Sequence, residues 1–135
     1  MSAPEATDAT PGPVAVRVIE MTPTAATALQ ALGESLGLDV VRIDLAGCAD
    51  KAGLLARTAE ALAFPAWFGG NWDAFFDCLA DLGWRSGAGH VLVFEHAEDM
   101  RRLAPEALDT AIAVLGDAAA AWDRRGLPFR VFLAA

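Results

Sequence analysis

Strand and helix signals alternate along this chain, which predicts an α/β domain around a mainly parallel sheet. Three observations carry that prediction. The runs VAVRVIEM, LDVVRIDL, HVLVFE and PFRVFL are short and rich in β-branched or aromatic residues, as strands are. The stretches between them carry helix caps and apolar residues at helical spacing, with glycine or proline at their ends. A length of 135 residues with 55% hydrophobic content suffices for one cored domain, expected over residues 14–135.

Each element has its own local reason. Residues 1–13, MSAPEATDATPGP, are rich in Pro, Ala, Thr and acid, and are expected to form a disordered tail. They have neither the basic nor the apolar region of a signal peptide. Val14–Met21 alternates apolar and polar residues and reads as the first strand. Pro23 suits the first position of a helix with Thr22 as its cap; Ala- and Leu-rich Thr24–Leu36 continues it, and Gly37 closes it. Leu38–Leu45 is the second strand, with Val41, Ile43 and Leu45 on one face.

Asp50 caps a helix over Lys51–Leu62, whose Leu54, Leu55, Thr58, Ala59 and Leu62 keep the helical period; Pro65 is expected to stop it. Trp67 to Gly70 form a loop. Asn71 caps the next helix, which runs to about Leu82, with Gly83 suited to its end. RSGAG is a turn. His90–Glu95 is a near-continuous apolar run, the mark of a strand buried on both faces. A short helical turn follows over Ala97–Arg102. Pro105 opens a long helix to about Arg125, stopped by Gly126 and Pro128, and Pro128–Leu133 is the last strand.

Composition narrows the function. The net charge of −8 repels phosphate backbones and favours a basic protein partner over nucleic acid. No apolar run reaches the roughly 18–20 residues that span a bilayer, so a cytoplasmic protein is expected. Cys48 and Cys78 lack CxxC spacing and read as two small buried thiols. His90 and His96 flank one strand about 20 Å apart at ~3.3 Å per residue, too far to share a metal ion. Both read as surface or strand-end histidines. No GxSxG, P-loop or GxGxxG pattern occurs. Asp73, Asp77 and Glu95 are carboxylates of the kind that hold a hard divalent ion, but aspartates one helical turn apart are no metal motif by themselves. No cofactor and no catalytic activity are expected.

The most informative stretch is FPAWFGGNWDAFFDCLADLGW, residues 64–84. Asp73, Asp77 and Asp81 recur at four-residue steps, so their side chains stack on one helical face. Trp72, Phe75, Phe76, Leu79 and Leu82 form an apolar stripe beside them. Like charges at this spacing cost a helix roughly 0.2–0.5 kcal/mol per pair. The plain alternative is a core-packing stripe backed by a solvated acidic face. Against it, Asp81 in the last turn is disfavoured by the helix dipole. Five aromatics within ten residues also exceed what one face of a three-turn helix buries.

This segment resembles the signature of the barstar family, intracellular protein inhibitors of the ribonuclease barnase. The shared pattern is Pro65, the aromatic pair Trp67-Phe68, Gly69, Asn71, Asp73, then Asp77-Cys78-Leu79 and Gly83-Trp84. The resemblance implies a barstar-like fold, a small three-stranded parallel sheet packed with helices, over residues 38–135. Residues 14–37 then stand as an added strand and helix, extending the sheet edge. It also implies a site that plugs the active site of a ribonuclease. Asp77 is the implied anchor, standing where an RNA phosphate sits, and Asp73 supports it from the helix start. Trp67 replaces a tyrosine that stacks on the enzyme's histidine, with Phe68 beside it. Asn71, Trp72 and Ala74 line the contact, and Gly83 and Trp84 close its far edge. Two extra residues precede Gly83. Ala121 and Arg125 stand where the family places glutamates, which removes negative charge. The implied partner is a basic secreted ribonuclease, with a different one from barnase favoured by these departures, or another basic toxin in a toxin–antitoxin-like pair, bound by a monomer. A module of the same fold that binds a basic non-nuclease partner is the second reading.

Overall fold

The computed structural model of the protein describes residues 16–134. Its elements are β1 (Val16–Ile19), α1 (Pro23–Ser35), β2 (Asp39–Asp44), α2 (Lys51–Leu62), α3 (Trp72–Asp81), β3 (His90–Glu95), α4 (Glu98–Leu103), α5 (Pro105–Asp123) and β4 (Phe129–Ala134). The proposed tail and the first two residues expected in the first strand lie outside the described residues. The four strands make one sheet in the order β1-β4-β3-β2, and every pairing is parallel. Parallel neighbours require long crossovers, which the helices supply.

All six residues of β3 are buried, as its apolar run predicts. It pairs on both sides: Phe94 lies opposite Ile43 of β2 and Leu133 of β4. β1 joins the outer edge of β4, with Val16 opposite Val131 and Ile19 opposite Ala134. The N-terminal strand thus widens the sheet to four strands.

Strand periodicity divides the core in two. On one face Val40, Val91 and Val93 pack with Ala26 and Leu29 of α1. Gly33 permits this close approach, since a Cβ there would stand 2.5 Å from Val40 Cγ2. On the other face Val41, Ile43, Leu92, Phe94, Val131 and Leu133 join the buried sides of α2, α3, α4 and α5. Phe75 of α3 is fully buried there. Burying such a ring stabilises the fold by about 1.5–3 kcal/mol, which anchors the acidic helix to the scaffold.

Thr22, Asp50 and Asn71 cap α1, α2 and α3 as expected, accepting from the N–H groups of Ala25, Gly53 and Ala74 at 3.1, 2.8 and 2.8 Å. Two helix ends are made by other residues than the sequence reading named. α2 spans Lys51–Leu62 as read, but it is Ala63, left-handed with φ 53°, that ends it, ahead of Pro65. The N–H groups of Ala63 and Phe64 donate back to the Glu60 and Ala59 carbonyls, satisfying the helix end. At α3, Leu82 takes the left-handed position with φ 48°, not Gly83. Leu82 is buried in the core, so packing holds a conformation that local preference assigns to glycine.

Two ionic ties brace the sheet. Arg42 of β2 donates to both oxygens of Glu95 at 2.8 Å. At the strand starts, Arg85 donates to both oxygens of Asp39, and His90 Nδ1 lies 2.9 Å from Asp39 Oδ2. His90 is at a strand end, as read, but only 3% exposed: Asp39 and the Trp122 ring enclose it.

Candidate partner-binding face

α3 buries Phe75, Cys78 and Leu79 against the core and turns Asp73, Asp77 and Asp81 to solvent. The two stripes read from the sequence are therefore the two sides of this helix. Among the described residues, none gives the Asp73 or Asp77 carboxylate a hydrogen bond or ion pair. Asp81 accepts from the Gly83 N–H at 3.1 Å. Burial, together with the negative charges of Asp77 and Asp81, pushes the Cys78 thiol up to about 11. Cys78 is thus a neutral, buried packing group behind the acidic face, and Cys48 is likewise buried and free.

The aromatics grade from core to solvent. Phe75 is buried, Phe68, Trp72 and Phe76 are half-buried, and Trp67 is 57% exposed. Phe64 holds the loop in place: its ring meets Phe68 edge-on at 5.0 Å and Trp84 edge-on at 6.2 Å. Asn71 is exposed apart from its capping bond, and Ala74 is half-buried. Trp84 turns back toward α2, where its indole N–H donates to the Leu62 carbonyl at 2.9 Å. Gly83 is exposed beside it. Lys51, the first residue of α2, sits 5.3 Å from the Trp72 ring centroid, a cation placed over an aromatic face.

A groove of about 660 Å³ runs between α3 and α5. Trp72, Asp73, Phe76 and Asp77 form its α3 wall, and Val114, Asp117, Ala120 and Arg124 form its α5 wall. The α5 residues that the sequence comparison singled out do not line it. Arg125 instead donates to the Ala80 carbonyl at 2.8 Å and stacks 4.0 Å over the Trp122 ring. This places a cation at the C-terminal turn of α3, where the helix dipole favours one and Asp81 needs one. Ala121 is half-buried. Phe76, Val114, Asp117, Ala120 and Arg124 were not predicted as site residues. The buried positions Leu115, Ala118, Ala119 and Trp122 define α5's inner side, and a helical projection from them puts Asp117 and Arg124 on its flank.

Glu95, considered with Asp73 and Asp77 as a metal ligand, is committed to Arg42 inside the fold. Among the described residues no group of three or more His, Cys, Asp or Glu is placed to hold a metal ion. No helix among them is long and apolar enough to cross a membrane.

Fold and face together define a small acidic α/β protein with a parallel sheet and one solvent-exposed carboxylate helix. The chain belongs to the barstar family: the family model described as Barstar (barnase inhibitor) matches residues 38–134. The match starts just before β2, so β1 and α1 lie outside it. No curated protein matches the chain.

Proposed function

We propose that the protein inhibits a cognate basic ribonuclease by inserting α3 and the loop before it into the enzyme's cationic active site. The observation that carries this reading is the Asp77 carboxylate: exposed, mid-helix, and without a hydrogen bond or ion pair among the described residues. A free carboxylate on a helix anchored by Phe75 and Leu79 is rigidly presented. It suits a pocket built for a phosphate oxygen, where arginine and lysine donors form charge-assisted bonds once water is excluded. Asp73 adds charge at the helix start. Trp67, with its exposed indole, offers a stacking surface for an imidazole or a base-binding ring, and Phe68, Asn71, Trp72 and Ala74 fill the contact around it. Gly83 and the outer edge of Trp84 border the same face. The family's inhibitors act on a ribonuclease, and the net charge of −8 steers a basic enzyme toward this one. The protein performs no chemistry, needs no cofactor, and acts as a monomer in the cytoplasm against an enzyme destined for secretion.

A second reading, a basic partner that is not a nuclease, is motivated by the last helix and its end. There Ala121 and Arg125 stand in place of the family's glutamates and Arg124 lines the groove, so the charge pattern departs from that of an inhibitor of barnase.

Inhibition assays separate the two. The purified protein is titrated against barnase and a panel of basic bacterial ribonucleases, with RNA cleavage as the readout. Stoichiometric inhibition of at least one enzyme is expected. Unimpaired cleavage by the whole panel, including a nuclease encoded beside this gene, would overturn the ribonuclease reading in favour of the second.

A further inference from the structure

The groove between α3 and α5 has opposite charges at its two α5 positions. Asp117 and Arg124 are seven residues apart, so they lie two helical turns apart on one side of α5, roughly 10 Å along its axis. Both are exposed, and among the described residues neither side chain has a hydrogen bond or ion pair. Asp73, Asp77 and the half-buried Phe76 ring line the α3 side of the same groove. The Trp122–Leu79 and Arg125–Ala80 bonds bring the C-terminal ends of α3 and α5 together, so the end with Asp73 and Asp117 presents carboxylates near an aromatic surface, and the end with Arg124 presents a guanidinium. A planar guanidinium fits the first end, because it stacks on an aromatic face while its N–H groups reach carboxylates. An acidic side chain fits the second.

We propose that this groove reads charge order on the partner: Asp117 receives an arginine and Arg124 receives a carboxylate about 10 Å away, on a partner surface that is mixed rather than uniformly basic. The proposal rests on the partner docking against α3, and it makes Asp117 and Arg124 specificity-determining residues beside the Asp77 anchor. It explains how Arg124 is compatible with a basic partner. The residue repels a uniformly cationic surface and admits one with an acid at the matching place, so wrong partners are rejected by like charge.

Two capped peptides serve as probes, acetyl-Arg-Gly-Gly-Glu-amide and acetyl-Arg-Gly-Gly-Arg-amide, whose charged residues are roughly 10 Å apart when extended. Each is titrated into ¹⁵N-labelled protein at physiological salt, following the amides of α3 and α5. The expected result is saturable shifts along the groove and tighter binding of the Arg/Glu peptide, by about threefold, the size an exposed ion pair supports. Arg124→Glu reverses the preference, and Asp117→Asn weakens both peptides. Stronger binding of the doubly basic peptide to the wild-type chain would overturn the proposal. So would a preference that Arg124→Glu leaves unchanged, or shifts spread evenly over the acidic surface. None of these outcomes touches ribonuclease inhibition through Asp77. A chain that keeps the peptide preference yet inhibits no ribonuclease would retain the groove and lose the enzyme as its partner.

Discussion

The indole N–H of Trp122 donates to the Leu79 carbonyl at 2.8 Å, joining the inner face of α5 to the acidic helix. Both residues are buried, and Leu79 stands two positions after Asp77. This bond fixes the groove's two walls relative to each other. The same ring packs edge-on with His90 and stacks on Phe129, so it links α3 to the sheet as well.

Trp122→Phe keeps most of the ring and removes the donor. It leaves the Leu79 carbonyl without that partner in a buried place, which costs about 1–3 kcal/mol. Urea unfolding is expected to show that loss with an unchanged slope. Trp122→Phe is also expected to weaken partner binding, because the α3 wall is less firmly placed.

Arg125 is tied into the fold. It occupies the place where the family has a glutamate, yet its guanidinium reaches the Ala80 carbonyl and the Trp122 ring. Arg125→Glu puts a negative charge at the C-terminal end of α3 beside Asp81. A loss of about 1 kcal/mol in stability is expected from the dipole and the lost bond. Thermal unfolding checks it; a gain in stability would show that a glutamate charge is tolerated there.

Acid stability reports on the tie at the strand starts. Burial pushes the Asp39 carboxyl up, but bonds from Arg85 and His90 outweigh it and hold the group below its usual value. A carboxylate lowered on folding stabilises the native state above its unfolded pKa of about 3.9 and loses that contribution as pH falls through its folded value. Asp39→Asn is therefore expected to cost about 2 kcal/mol at pH 7, with the difference from the wild-type chain shrinking as pH drops below about 4. Urea midpoints measured from pH 7 to pH 2.5 test this. A constant difference would place the effect elsewhere.

Much of this was legible in local sequence. Thr22, Asp50 and Asn71 announce their helices because a side-chain acceptor at a helix start acts on its own N–H groups, with no need of distant residues. The apolar run of β3 announces a central strand for the same reason. Positions set by tertiary packing were not legible. Ala63 and Leu82 adopt left-handed backbone without being glycine: the core fixes buried Leu82, and bonds back to the last turn of α2 hold exposed Ala63. His90 became buried because Asp39, itself held by Arg85, and Trp122, both distant in sequence from His90, converge on it. At the site, α3 was legible from its aspartate spacing. The α5 wall was not, since its rotation about its own axis depends on Trp122 packing. The family resemblance drew attention to Ala121 and Arg125, while the fold turns Asp117, Ala120 and Arg124 into the groove.

Asp77→Ala, compared with the wild-type chain for inhibition of the ribonuclease it blocks, bears most directly on the decoy carboxylate. Removing one member of a buried charge pair costs about 3–5 kcal/mol, so affinity is expected to fall by at least about a hundredfold. The unfolding midpoint should be unchanged or slightly raised, because the side chain is exposed and its two like-charge contacts, with Asp73 and Asp81, are relieved. Undiminished inhibition by the folded variant would contradict Asp77 as the anchor.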